Sequence, residues 1–119
     1  MTILGDGLTR ADKVIAKFHK SRQQRLCERY ASMCPERFSL ILRRNEKWKD
    51  VYGWEYLVEA WNTMKYPGKH CNTSDDLQFG EGISISDAFS DFARNILKYE
   101  KCDDWKDLNE KMKEWEKQK

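Results

Sequence analysis

The chain has 119 residues, of which 39% are hydrophobic and 13% aromatic, and its formal net charge at pH 7 is +2. This length suits a single domain, 1–119, and the apolar content is enough for one core, which excludes an intrinsically disordered chain. No apolar run approaches the roughly 20 residues that cross a bilayer, and residues 1–7 do not resemble a secretion signal, so we expect a cytoplasmic protein with reduced cysteines and no membrane partner.

The first predicted element is one long helix over about 9–33. Apolar residues recur there at helical spacings, and Asp12 stands three residues after Thr9, as in a capping box. A second helix is predicted over about 35–44, because proline is tolerated at the first position of a helix. The run 39–42 would equally suit a short buried strand.

The cleanest amphipathic pattern follows a short segment, 45–53, that has room for one helical turn. Five apolar residues fall within an arc of roughly 120°: Trp54, Leu57, Val58, Trp61 and Met64. The pattern predicts a helix. Residues 66–83 lack helical periodicity and predict a long loop, with a small hairpin as the alternative, and loops of this length in compact domains are often functional.

Two more helices are predicted near the end of the chain. Ser84 and Asp87 resemble a capping box before a broad apolar face, and Asp103 or Asp104 starts the last helix. The expected fold is therefore all-α, a compact single domain of four to five helices. Its expected core includes Phe18, Leu57, Val58, Trp61, Phe89, Phe92, Ile96 and Leu108.

Three arginines, Arg22, Arg25 and Arg29, recur at i, i+3 and i+7 and predict a cationic ridge, which we call the arginine ridge. On one continuous helix this ridge shares the side that carries Val14 and Phe18 further back. Residues 1–50 carry a net charge of +6 and the remaining residues −4. The ridge is thus expected either to pair with carboxylates of the second half or to bind an acidic ligand, since guanidinium groups bind carboxylate and phosphate alike.

A second cluster mixes basic and aromatic residues, namely Arg43, Arg44, Lys47, Trp48, Lys49 and Tyr52. Clusters of this kind can follow a nucleic-acid backbone while bases stack on the rings. No known nucleic-acid-binding motif accompanies it, and a position in the core or at its rim is the plain alternative for Trp48.

His70 and Cys71 are the residues of the 66–83 loop that could act in catalysis, as a base and a nucleophile. Adjacent side chains rarely face one another, and no known catalytic motif is present. The cysteines and His70 also lack the spacing of zinc ligands. We therefore expect no enzyme, no cofactor and no structural metal.

These features favour a small non-enzymatic module that acts by occupying an acidic surface of a protein or nucleoprotein complex. The first helix and the 66–83 loop with His70 are the expected contact regions, and a second copy of the chain is a further candidate partner. Compact, charged, motif-free chains of this size are common among phage inhibitors of host defence or transcription complexes, an argument from protein type alone. The alternatives are nucleic-acid binding through the arginine ridge with Arg43 and Arg44, and an enzyme using His70 or Cys71.

Overall fold

The computed structural model of the chain describes residues 1–35, 37–61 and 79–118, and the fold of these residues is α/β. Five helices and one four-stranded mixed sheet form it. The elements in chain order are β1 (Thr2–Leu4), α1 (Arg10–Phe18), α2 (Arg22–Met33), β2 (Ser39–Arg44), α3 (Glu46–Tyr52), β3 (Tyr56–Trp61), β4 (Gly80–Gly82), α4 (Ile85–Glu100) and α5 (Trp105–Lys117). The all-α prediction is therefore wrong. Within the described ranges, no helix combines the length and the apolar character needed to span a membrane.

The sheet has the strand order β1-β2-β3-β4, with β1 parallel to β2 and the other neighbours antiparallel. Leu42 is paired with Leu4 on one side and with Val58 on the other, and Val58 in turn with Gly80. The helix predicted over 35–44 is wrong here, because β2 runs through Ser39–Arg44 and realises the strand alternative.

The helix predicted from Trp54 to Met64 is also wrong, because Tyr56–Trp61 forms the interior strand β3. Successive side chains of a strand point to opposite faces of the sheet. Leu57 and Val58 therefore face opposite ways, and both are buried, at 9% and 0% exposure. A strand buried on both faces lacks the alternation of polar and apolar residues that identifies a half-buried strand. Its short apolar run was therefore predicted as a helix, because periodicity alone does not distinguish the two.

The single long helix predicted over 9–33 is two helices. The capping box at its start is confirmed, since the Asp12 N–H donates to Thr9 Oγ1 at 3.1 Å and the Thr9 N–H to Asp12 Oδ2 at 3.0 Å. The first helix ends at Phe18, however, and the Ser21 hydroxyl accepts the Gln24 N–H at 3.2 Å to begin the second. A new N-cap thus divides the segment.

The later helices agree better with the sequence. The short helical turn at 45–53 is α3, and Ser84 and Asp104 cap α4 and α5 as predicted. Most of the loop predicted over 66–83, namely residues 66–78, lies outside the described residues. Near its end, Gly80–Gly82 forms the strand β4.

The core lies between one face of the sheet and helices α2, α4 and α5. Its largest fully buried residues are Tyr30, Phe89, Phe92, Leu40, Leu42, Ile96, Leu108, Met112 and Val58. Five of the eight predicted core residues are among them. Leu57 is buried outside this cluster, Trp61 is half-buried, and the assignment of Phe18 to the core is wrong, because 74% of it is exposed.

Candidate functional site

The inward side of α1 is held by a buried carboxylate. Asp12 is only 5% exposed, and its oxygens accept the Tyr56 hydroxyl at 2.9 Å and lie 3.2 Å from Arg44 Nη1. Burial raises the pKa of Asp12, but hydrogen bonds from the Thr9 N–H and the Tyr56 hydroxyl and the charge of Arg44 outweigh it, so that this pKa is lowered. Asp12 therefore anchors α1 to the sheet as an ionised group.

The pKa of Tyr56 is shifted upward, in the direction opposite to that of Asp12. Burial, together with the hydrogen bond to Asp12 and its negative charge, raises the pKa of Tyr56 to about 12. The phenol thus remains a hydrogen-bond donor at neutral pH. Asp12 and Tyr56 form a satisfied structural contact, and neither is poised to exchange a proton near neutral pH.

The outward side of α1 is apolar. Val14 is 40% exposed, Ile15 42% and Phe18 74%, and Ala11 is exposed as well. These four residues, which we call the apolar strip, follow the i, i+3, i+4, i+7 spacing of a single helix face. A surface helix normally turns such a face to the core, and α1 turns it to solvent instead.

One edge of the apolar strip is lined by positive charge. Arg10, Lys13 and Lys17 are exposed and lie side by side on the helix surface, and we call them the cationic row. At 100° per residue the row lies next to the strip on one side. The acidic residue of α1, Asp12, is buried in its ion pair with Arg44, so it does not offset the charge of the row at the surface.

The arginine ridge lies on α2, and all three of its members are exposed. Arg29 donates to the side chain of Asn109 at 3.2 Å. Arg22 and Arg25 form no ion pair with any residue in the described part of the chain. The predicted alignment of ridge and strip on one helix is wrong, because the chain turns between α1 and α2.

The turn between the two helices is fixed by polar contacts. Gln24 is fully buried and donates to the Ala16 carbonyl at 2.8 Å, and Lys20 Nζ lies 2.9 Å from Glu28 Oε1. Burial raises the pKa of Glu28, but hydrogen bonds from Thr2 and Lys20 lower it further than burial raises it. The arginine ridge is therefore held in a set position relative to α1.

The strip and the ridge are also close in the chain. Phe18 and Arg22 are four positions apart in the chain, so their Cα atoms lie no more than about 14 Å from each other. Arg25 follows Arg22 by roughly one helical turn. These distances lie within the width of one protein–protein interface of ordinary size, which buries about 800 Å² on each partner.

Two of the four cations in the second predicted basic cluster, Arg43 and Arg44, are neutralised by carboxylates, whereas Lys47 and Lys49 are exposed on α3. Arg44 pairs with Asp12 and also with Glu55, whose Oε2 lies 3.1 Å from its Nε. Arg43 Nε lies 3.5 Å from Glu59 Oε2, and its guanidinium sits over the Trp61 ring, 5.8 Å from the centroid. Both arginines lie on β2, apart from the arginine ridge on α2.

Trp48 is half-buried on α3, with its ring centroid 5.3 Å from that of Trp54. Tyr52 stacks on the same Trp54 ring, with centroids 5.2 Å apart and planes 16° from parallel. Trp48 thus belongs to a small aromatic cluster that ties α3 to the start of β3.

No cluster of metal-binding side chains is present among the residues described. His70 and Cys71 lie outside them. Over 1–35, 37–61 and 79–118 no group of three or more His, Cys, Asp or Glu side chains is arranged to hold a metal ion. A shallow cavity of about 180 Å³ near the ends of α2 and α5 is lined by Met33, Pro35, Trp115 and Gln118, none of which titrates near neutral pH.

Comparison with known proteins adds no relative to this picture, since no protein-family model, curated protein or solved structure matches the chain. The geometry of α1 and α2 is therefore what identifies the candidate site. Sequence reasoning had singled out the arginine ridge, but it missed that the apolar side of α1 faces solvent and that Asp12 faces inward.

Proposed function

We propose that this chain is a non-enzymatic protein-binding module that docks on an acidic surface of another protein through α1 and the arginine ridge, and inhibits that protein by covering the surface. The observation that carries the proposal is the inverted orientation of α1, with Asp12 buried and the apolar strip in water. Contiguous apolar side chains at a surface commonly mark binding sites.

The apolar strip supplies affinity. Burying a side chain the size of phenylalanine contributes about 1.5–3 kcal/mol relative to leaving it exposed, so Phe18, 74% exposed, has much to gain from a partner. Large side chains of this kind are typical of the few positions that dominate the binding energy of an interface.

The charges around the strip supply selectivity. The cationic row adds three positive charges beside the strip, and the unpaired Arg22 and Arg25 add two more within reach. Complementary potentials accelerate association and disfavour partners of like charge. An acidic protein surface with apolar side chains satisfies both the charges and the strip, whereas a nucleic-acid backbone matches only the charges.

The test is a charge reversal with a matched control. A partner is captured from the native host with the tagged chain, purified and titrated against the parent, the double variant Arg22→Glu/Arg25→Glu, and the control Lys98→Glu/Lys106→Glu. The control reverses two exposed cations on α4 and α5. We expect at least about tenfold weaker binding for the first variant only.

Three outcomes contradict the proposal. Equal losses in both variants indicate a general charge effect, and no loss in either shows that the ridge takes no part. Capture of nucleic acid, with affinity that falls steeply as salt increases, supports the nucleic-acid alternative instead, because such binding releases counterions.

A further inference from the structure

We infer that α1 is the inserted element of the complex: the partner provides an apolar groove with acidic residues along one edge, and α1 enters it with Val14, Ile15 and Phe18 as anchors. The inference rests on the proposed function and adds the mode of recognition to it. Three features of α1 lead to this mode, namely its protrusion, the spacing of its anchors and the one-sided placement of its charge.

The protrusion of α1 indicates that this chain supplies the inserted helix and that the bound protein supplies the groove. Of its nine residues, Asp12 and Ala16 are buried and the other seven are exposed. A helix that touches its own domain along so narrow a seam is a convex ridge. A ridge fits into a concave partner, whereas a helix forming the wall of a groove is covered along more of its circumference.

The anchor spacing matches one recurring mode of peptide recognition. Helices that bind in grooves place their anchors at i, i+3, i+4 and i+7, and Ala11, Val14, Ile15 and Phe18 occupy these positions. At 1.5 Å per residue the strip is about 10 Å long, or two turns. The groove needs to be only that long, with its widest pocket opposite Phe18.

The cationic row fixes where the acidic edge of the groove lies. Arg10, Lys13 and Lys17 border the strip on the side away from Ile15, and beyond Ile15 the helix surface leads to the buried Asp12. The charge of α1 is therefore one-sided. A groove with carboxylates along the edge that faces the row, and neutral residues along the other, complements this arrangement.

The same charges argue against a second copy of the chain as the occupant. Packing two α1 helices strip to strip brings two cationic rows into one interface, with Asp12 of each copy already paired to Arg44. Like charges placed together at an interface cost several kcal/mol. A foreign acidic protein meets no such repulsion.

The helix is also preformed. Thr9 and Asp12 close its first turn, and the His19 N–H bonds to the Ile15 carbonyl at 3.0 Å at its end. The contact of Asp12 with Arg44 holds the helix against the sheet. A partner therefore binds a helix that is already ordered, without the entropy loss of folding it.

The experiment places a photo-reactive side chain at three exposed positions of the full chain. p-Benzoylphenylalanine replaces Phe18, Arg22 or, as a control on α5, Lys106. Each variant is irradiated in native-host extract, and the crosslinked residues are identified by mass spectrometry. We expect the Phe18 position to react with apolar residues that line one groove bordered by Asp or Glu, and the Arg22 position to react with the same protein.

The outcomes separate this inference from the proposed function. Crosslinks to an acidic protein from position 22 but none from position 18 overturn the groove and leave the function standing. No protein crosslinks from either position above the Lys106 control overturn both. Crosslinks from position 18 to a protruding helix, a second copy of the chain, lipid or nucleic acid also overturn the groove.

An affinity series on the crosslinked partner completes the test. Phe18→Ala should weaken binding by about tenfold or more, while Phe18→Leu, which still fills an apolar pocket, should stay within about fivefold of the parent. Lys17→Glu should weaken binding, and reversing the charge of the partner's nearest carboxylate residue should restore it. Equal affinities for Phe18→Ala and the parent contradict insertion of α1.

Discussion

The carboxylate of Asp12 lies 3.2 Å from the guanidinium of Arg44, and this ion pair joins the first turn of α1 to the last residue of β2. It decides which side of the helix faces water. At 100° per residue, Val14 and Phe18 lie 160° and 120° around the helix from Asp12. Once Asp12 turns inward to meet Arg44 and Tyr56, both apolar residues must therefore face solvent.

Loss of this anchor should destabilise the domain. Asp12→Ala removes the acceptor of the Tyr56 hydroxyl and one partner of Arg44, and we expect the free energy of unfolding to fall by about 2 kcal/mol. Urea denaturation measures the change. Asp50→Ala, at an exposed position on α3, is the control and should stay within about 0.5 kcal/mol of the parent. Equal stabilities of the two variants would show that the Asp12 contact contributes nothing.

The same anchor should make stability depend on acidity. The folded pKa of Asp12 lies below its ordinary value of 3.8, so the folded state binds this proton less readily than the unfolded state. The contribution of Asp12 is therefore complete above about pH 4 and is lost as the pH falls through the folded pKa. Glu28, whose pKa is also lowered, adds to the same loss.

Melting temperatures of the parent and of Asp12→Asn, measured from pH 7 down to pH 2, check this prediction. We expect the parent to lose more stability than the variant below about pH 4. Parallel curves would show that Asp12 titrates alike in the folded and unfolded states.

Truncation of two phenylalanines to alanine should change the free energy of unfolding by very different amounts. Phe18 is 74% exposed, so Phe18→Ala should change the free energy of unfolding by no more than about 0.5 kcal/mol. Phe92 is fully buried, and Phe92→Ala should cost about 3–5 kcal/mol. Guanidinium denaturation compares the two variants. A large cost at Phe18 would place its ring inside the fold.

Reversing charge on the arginine ridge should leave the fold intact. Arg22→Glu/Arg25→Glu breaks no ion pair within the described residues, and its melting temperature should stay within about 3 °C of the parent. Arg29→Glu removes the hydrogen bond to Asn109 and should melt slightly lower. Scanning calorimetry measures both. A large drop for the double variant would indicate a structural role for the ridge.

Gly80 should tolerate no larger side chain. A Cβ at this position would lie 2.3 Å from the Ala88 carbonyl oxygen, because β4 packs directly on the backbone of α4. Gly80→Ala should therefore cost about 1–3 kcal/mol through overpacking. Gly53→Asn is the contrasting variant: Gly53 has φ +82° and open space around it, and asparagine tolerates this conformation. In thermal melts, Gly80→Ala should have a clearly lower melting temperature than Gly53→Asn. Equal melting temperatures would contradict the close contact between Gly80 and the backbone of α4.

The sequence predicted helix starts better than it predicted the sheet. Capping residues such as Ser84 and Asp104 act within one turn, and the structure places both as expected. Ser21 with Gln24 three residues later is the same kind of signal and marks the start of α2, but the long helical pattern masked it. Local chemistry of this kind can be read from one sequence.

The strands and the outward face of α1 depend on contacts between distant residues. Val58 is buried in a core that it shares with Leu40 of β2 and Phe89 of α4, both far from it in the chain. Likewise, the spacing of Val14 and Phe18 predicts an apolar face correctly, but it does not say whether that face meets the core or water. The answer lies in Arg44, 32 positions after Asp12.

The position of α4 in the chain has a consequence for biosynthesis. The large apolar residues of the inner face of the sheet, among them Leu40, Leu42 and Val58, are made by the end of β3, but Phe89 and Phe92, which cover them, belong to Ile85–Glu100 and leave the ribosome later. A nascent chain that stops before α4 therefore carries an uncovered apolar sheet, the kind of surface on which incomplete chains aggregate. Chaperone occupancy should peak in that interval of synthesis and fall once α4 has emerged.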